Sequence, residues 1–150
     1  MQNTDRPLEK LAALYETDRQ YLNGMLEEIV LRIREFPPTR VCTFMTRHFG
    51  RDDHDGHRRV RTAARREALR RLQEEDSGLS VFYICGLTSG DAAFLRTAQQ
   101  SFLARLDNLP SSEVMQVYCA AERHGHRTLA REAAHQLALR GYGMPGREGC

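Results

Sequence analysis

The chain has 150 residues, 41% hydrophobic and 28% charged, with a mean hydropathy of -0.57 and a formal net charge of +2. That length suits a single domain around one core, and no apolar run approaches the ~18 residues of a membrane-spanning helix. Of the 22 basic residues, all but Lys10 are arginines; Lys10 falls in the opening turns of a predicted surface helix, which excludes a P-loop lysine and a buried Schiff-base lysine.

In chain order, the first predicted element is one long helix over 5–36. Leu8, Tyr15, Leu22, Ile29 and Phe36 recur every seven residues, with Leu11, Met25 and Ile33 filling the same face. Thr4 or Asp5 can cap it, Pro7 suits its first turn, Asn23-Gly24 is a weak point, and Pro37-Pro38 stops it. The stripe reads either as packing on the domain's own core or as the seam of a homodimer.

Thr39 is the expected cap of a second helix, with Val41, Phe44, Met45 and His48 on one face and Gly50 at its end; the alternative is a short strand over 41–45. A polar loop over 51–57 then leads into a third helix ending near Ser77-Gly78. The five-residue run Val81 to Cys85 suits a strand or a buried helix, and the lack of a convincing strand partner favours a short helix.

Thr88-Ser89-Gly90-Asp91 offers caps for a helix carrying Phe94, Leu95, Ala98, Phe102 and Leu106. Ser111 or Ser112 is the expected cap of the next, with Val114, Val117, Tyr118 and Ala121 inward and Gly125 at its end. The last carries Leu129, Ala130, Ala133, Ala134 and Leu137 and stops at Gly141. The short link makes the final two an α-hairpin over 111–141. The expected fold is therefore all-α: a single compact helical domain, 1–150, of about six helices.

Charge is unevenly placed. Ten arginines against four carboxylates give the segment 40–71 a local charge of +6 and leave the remainder at −4. On a helical wheel, Val60, Ala64, Ala68 and Leu72 form an inward strip. Arg59, Arg66 and Arg70 stand on one flank of it, and Arg58, Arg61 and Arg65 on the other. These six are the candidate macromolecule-binding residues. They would face a protein partner or, in the alternative, the phosphates of a nucleic acid meeting 58–71.

His48, His54, Asp55 and His57 form a weak metal-like cluster. His54-Asp55 resembles the paired ligand of helical metal-dependent phosphohydrolases, but no separate His and distant Asp complete that set. Gly86-Leu-Thr-Ser-Gly90 has nucleophile-elbow spacing with Thr88 in place of serine, and a helix-capping turn is the simpler reading. His124, His126 and His135 read as surface or capping histidines.

The widely spaced Cys42, Cys85, Cys119 and Cys150 suggest reduced thiols, and the opening residues show no secretory leader, so the expected location is cytoplasmic. No catalytic residue, cofactor or membrane contact is expected. The function expected is that of a small non-enzymatic interaction or regulatory protein, with a nucleic-acid-binding regulator and a metal-dependent enzyme using the 48–57 cluster as the alternatives.

Overall fold

The computed structural model describes residues 7–17, 23–47 and 55–143. Among these the chain is all-α, with eight helices and no strand: α1 (Leu8–Thr17), α2 (Asn23–Leu31), α3 (Pro38–Thr46), α4 (Asp55–Glu74), α5 (Leu79–Ser89), α6 (Ala92–Ala104), α7 (Ser111–Arg123) and α8 (Arg127–Leu139). The chain divides into two compact units, Met1–Ala68 and Leu69–Cys150, with the boundary inside α4.

In the first unit the expected long helix is described as α1 and α2; Leu22 and its neighbours over 18–22 lie outside the described residues. The helical path also ends earlier than the proline pair suggested. After Leu31 it tightens into a 3-10 turn, Ile33–Glu35, and Phe36 is extended with ψ 145°, because a residue preceding proline is driven out of the α region. Arg32 holds this turn through Glu28 at 3.3 Å and Glu35 at 3.2 Å. The hydrogen bond that Arg32 donates to Glu35 is the main reason its pKa is raised.

Of the periodic face, Leu11, Tyr15 and Ile29 are fully buried and Phe36 nearly so, whereas Leu8, Met25 and Ile33 are only half-buried and Leu26, outside that stripe, is buried as well. The ring of Phe44 lies edge-on to Tyr15 at 5.0 Å and to Phe36 at 4.8 Å.

The stretch 41–45 is helical. Its helix opens at Pro38, with Pro37 in the cap position, rather than from a Thr39 cap. Proline suits that first position because its fixed φ is already helical and its missing N–H would have had no partner. Asp55, Gly56 and His57, expected in the loop over 51–57, belong to α4, which begins at Asp55, where a carboxylate favours the positive helix end. The residues 48–54 are outside the described set.

In the second unit α5 packs on α6 and α7, and α7 pairs with α8. The apolar run 81–85 lies inside α5, which extends through Thr88 and Ser89, so the 86–90 stretch is helix rather than a strand-to-helix elbow. Gly86 marks where α5 meets α6: a Cβ there would stand 3.2 Å from the Leu95 Cα. Asp91 caps α6, its Oδ1 accepting from the Phe94 amide at 3.0 Å. α7 opens at Ser111 after Pro110 without a side-chain cap, correcting the expected serine cap. Gly125, at φ +74°, makes the hairpin turn between α7 and α8.

Arginines fasten helix ends in this unit. Arg105, which ends α6, donates to the carbonyls of Leu72, Gln73 and Glu75 at the close of α4 and lies 3.5 Å from Asp76. Arg140 donates to Ser111 Oγ and to the Leu106 carbonyl, each at 3.0 Å. Glu113 accepts from the Ser80 amide and hydroxyl at 3.2 and 3.1 Å, satisfying the start of α5 from α7. Cys42 and Cys85 stand outside any disulfide. Cys119 is disulfide-bonded, against the expectation of reduced thiols.

Candidate functional site

The inward strip of α4 is as the wheel places it: Val60, Ala64, Ala68 and Leu72 are all fully buried. That burial fixes the rotation of the helix and so the direction of each candidate arginine. Arg58 is 64% exposed and pairs with Asp55 three residues earlier, at 3.0 Å. Arg59 reaches Glu27 of α2 at 3.2 Å. Arg70 is drawn to Glu74 at 2.8 Å and Glu75 at 2.9 Å, and Arg71, nearly buried, lies 3.8 Å from Glu75. Arg61 and Arg65 are half-buried and engaged as well. Arg66 is exposed and makes no ion pair among the described residues.

The local excess of +6 is therefore not a free basic field. Glu27, Glu74 and Glu75, which lie outside the segment 40–71, neutralise part of it in place, while Asp55, already within that count, holds Arg58. Surface pairs of this kind are worth little, about 0–1 kcal/mol each, so an incoming carboxylate can exchange with them.

What α4 presents with α2 is a mixed surface. An open groove of about 610 Å3 is lined by Val30, Thr62 and Ala63, with Arg58, Arg59, Arg66 and Asp55 at its edges. Leu31, the next residue of α2, is 77% exposed. Three guanidiniums and two carboxylates, counting Glu27, leave this groove close to neutral.

No family model matches the chain, nor does any curated protein or solved structure.

Of the metal-like cluster, His48 and His54 lie outside the described residues. The other two point apart. The Asp55 side chain is 90% exposed, whereas His57 is fully buried, its ring 5.5 Å from Tyr15. Among the described residues no group of three or more His, Cys, Asp or Glu is placed to hold a metal ion.

One polar constellation was not legible in the sequence. The Tyr83 hydroxyl lies 2.6 Å from His126 Nδ1, and Gln99 Nε2 lies 3.1 Å from the same nitrogen. Both neighbours can donate, which fits an Nδ1 acceptor with the ring proton on Nε2. Burial pushes the Tyr83 phenol up to about 12, with the Gln99 hydrogen bond opposing the shift. The three residues tie α5 and α6 to the start of α8, and His126 is a partnered residue rather than a surface histidine. Their separations in sequence, 43 and 27 residues, leave no local signal.

Among the described residues no helix is long and apolar enough to cross a membrane.

Proposed function

We propose that this is a small non-enzymatic interaction protein that binds another protein through helix faces, with the α2–α4 surface of the first unit as the contact. The observation that carries this reading is the pairing of Arg58 with Asp55 and Arg59 with Glu27 beside an apolar groove next to exposed Leu31. An apolar floor with exchangeable charges at its edge suits a protein partner, whose own side chains can replace each pair. The compartment in this reading is the cytoplasm, which Cys42 and Cys85, outside any disulfide, fit and the bonded Cys119 does not. Self-association through 5–36 is left out, since Leu11, Tyr15 and Ile29 are already buried.

The nucleic-acid alternative keeps one observation in its favour, the exposed Arg66 together with Arg58 and Arg59 around a single groove. A salt titration separates the two. Polyanion binding through several arginines would give strong retention on duplex DNA at low salt that collapses as salt rises. The protein-binding reading expects no such retention. It also expects that a partner captured from the native extract and identified by mass spectrometry is lost with Leu31→Asp while the variant keeps its helical circular dichroism. Salt-sensitive duplex binding abolished by Arg58→Glu/Arg66→Glu would replace the proposal with its rival.

A further inference from the structure

Cys119 takes part in a disulfide, whereas Cys42 and Cys85 stand outside any. Of the four cysteines in the sequence, that leaves Cys150 to pair with it. Cys119 is half-buried on α7 and forms part of the wall of an open groove of about 320 Å3 between α5 and α7. Ile84, Leu87 and Met115 give that groove its apolar surface, and Ile84 is 40% exposed.

The end of α8 stands beside the start of α7, which sets how far Cys150 has to reach. Arg140, the C-cap of α8, donates to Ser111 Oγ at 3.0 Å. Gly141, at φ +90°, turns the chain off the helix, and the Tyr142 amide bonds to the Leu137 carbonyl at 3.0 Å. From Ser111 to Cys119 is about 12 Å along α7, at 1.5 Å per residue. An extended segment 144–150 spans up to about 24 Å, which covers that distance and the arm of Arg140 with slack. Pro145, Gly146 and Gly149 disfavour a helix, which would shorten the reach.

We propose that Cys119 and Cys150 form a reversible disulfide that straps the segment 144–150 along α7 and over the α5–α7 groove, and that reduction lifts the strap and opens the groove. Forming the bond joins the two sulfurs and removes two protons and two electrons, which a small disulfide such as oxidised glutathione accepts as it becomes two thiols. In the reverse direction a thiolate attacks one sulfur of the strap and the other leaves as a thiolate that takes up a proton. A second thiol then resolves the mixed disulfide and releases the remaining cysteine. Half-buried Cys119 is within reach of such exchange, whereas Cys85, buried in α5, is shielded from it. Reversibility also fits a reducing compartment, where a disulfide is ordinarily transient or redox-sensing rather than structural. Tethering favours the chain's own segment over any other occupant, because a short linker holds it at an effective concentration of about millimolar.

The test begins with the full chain, purified without reductant, alkylated under denaturing conditions and digested with trypsin. Mass spectrometry should find the peptide 106–123 joined to 148–150, with Cys42 and Cys85 alkylated. Excess reduced glutathione should open the bond completely and oxidised glutathione should restore it. Opening of the groove is read at Met115. Peroxide should convert it to the sulfoxide about threefold or more faster in Cys119→Ser/Cys150→Ser than in the oxidised parent, with Met25 of the other unit as reference. Cys119 joined to any cysteine other than Cys150, including Cys119 of a second copy, overturns the proposal. So does a Cys119 that stays a thiol in oxidised glutathione, a bond that survives excess reduced glutathione, or Met115 oxidation equal in the two forms. The mapping and the glutathione titration use the parent alone, so they decide the matter even where the double variant fails to fold. No substitution lies on the α2–α4 surface, so that reading stands or falls separately.

Discussion

Replacing Arg105 by alanine should destabilise the second unit more than any other single loss of surface charge. Its side chain is only 18% exposed, and its two terminal nitrogens serve three carbonyls, those of Leu72, Gln73 and Glu75, at the end of α4. Hydrogen bonds from a charged donor contribute about 1.5–3 kcal/mol each when measured singly. These share one guanidinium, and the freed carbonyls can recover water, so the expected total is about 3 kcal/mol rather than the sum. With a urea slope of about 2 kcal/mol per molar, the midpoint falls by roughly 1.5 M. Arg105→Lys keeps the charge near the helix end, a contribution of about 0.3–1 kcal/mol, but a single ammonium does not span three carbonyls. It should recover only about a third of the loss. The assay is urea denaturation followed by circular dichroism at 222 nm, with amide exchange reporting protection in the last turn of α4. A lysine variant as stable as the parent would refute the multidentate reasoning, and an alanine variant within about 0.5 kcal/mol of the parent would remove the clamp altogether.

Three further outcomes are expected. Asp91→Ala removes the acceptor of the Phe94 amide and should cost about 1 kcal/mol in a thermal or urea melt, with Asp91→Asn retaining most of that. Tyr83 has a folded pKa raised from 10.0 to about 12. The unfolded chain therefore loses this proton first, and the contribution of Tyr83 is present below pH 10 and declines as pH rises from about 10 to 12. The fall is of order 2 kcal/mol in all, and it should appear as the difference between the parent and Tyr83→Phe stability profiles over that range, being absent from the variant's own profile. At Gly86, where an added Cβ already stands 3.2 Å from the Leu95 backbone, valine should destabilise by about 1–3 kcal/mol through overpacking; an unchanged melt would show that α5 and α6 can separate without cost.

Helix positions were legible because their signals are local. The strip Val60, Ala64, Ala68 and Leu72, the stripe Phe94, Ala98 and Phe102, and the alanine-rich hairpin all bury the residues their spacing selects. The misplaced boundaries have local causes too: three prolines, Pro37, Pro38 and Pro110, stood in cap or first-turn positions where Thr39 and the serines 111 and 112 were expected to cap. The fate of the charges was not local. Arg58 and Arg70 could be read from acids three or four residues away, but the partner of Arg59 lies 32 residues off in α2.

By itself the sequence determined an all-α chain, the inward face of each main helix, and an excess of arginine over lysine. Periodicity, proline and glycine act within a few residues, so they survive without knowledge of the packing. Only the tertiary structure decided what the arginines do. It set Glu27, Glu74 and Glu75 against the arginines of the basic helix and turned Arg105 and Arg140 into carbonyl clamps. A charge acquires its meaning from the residue that folding places against it, and for Arg59 and Arg105 that residue is about thirty positions away.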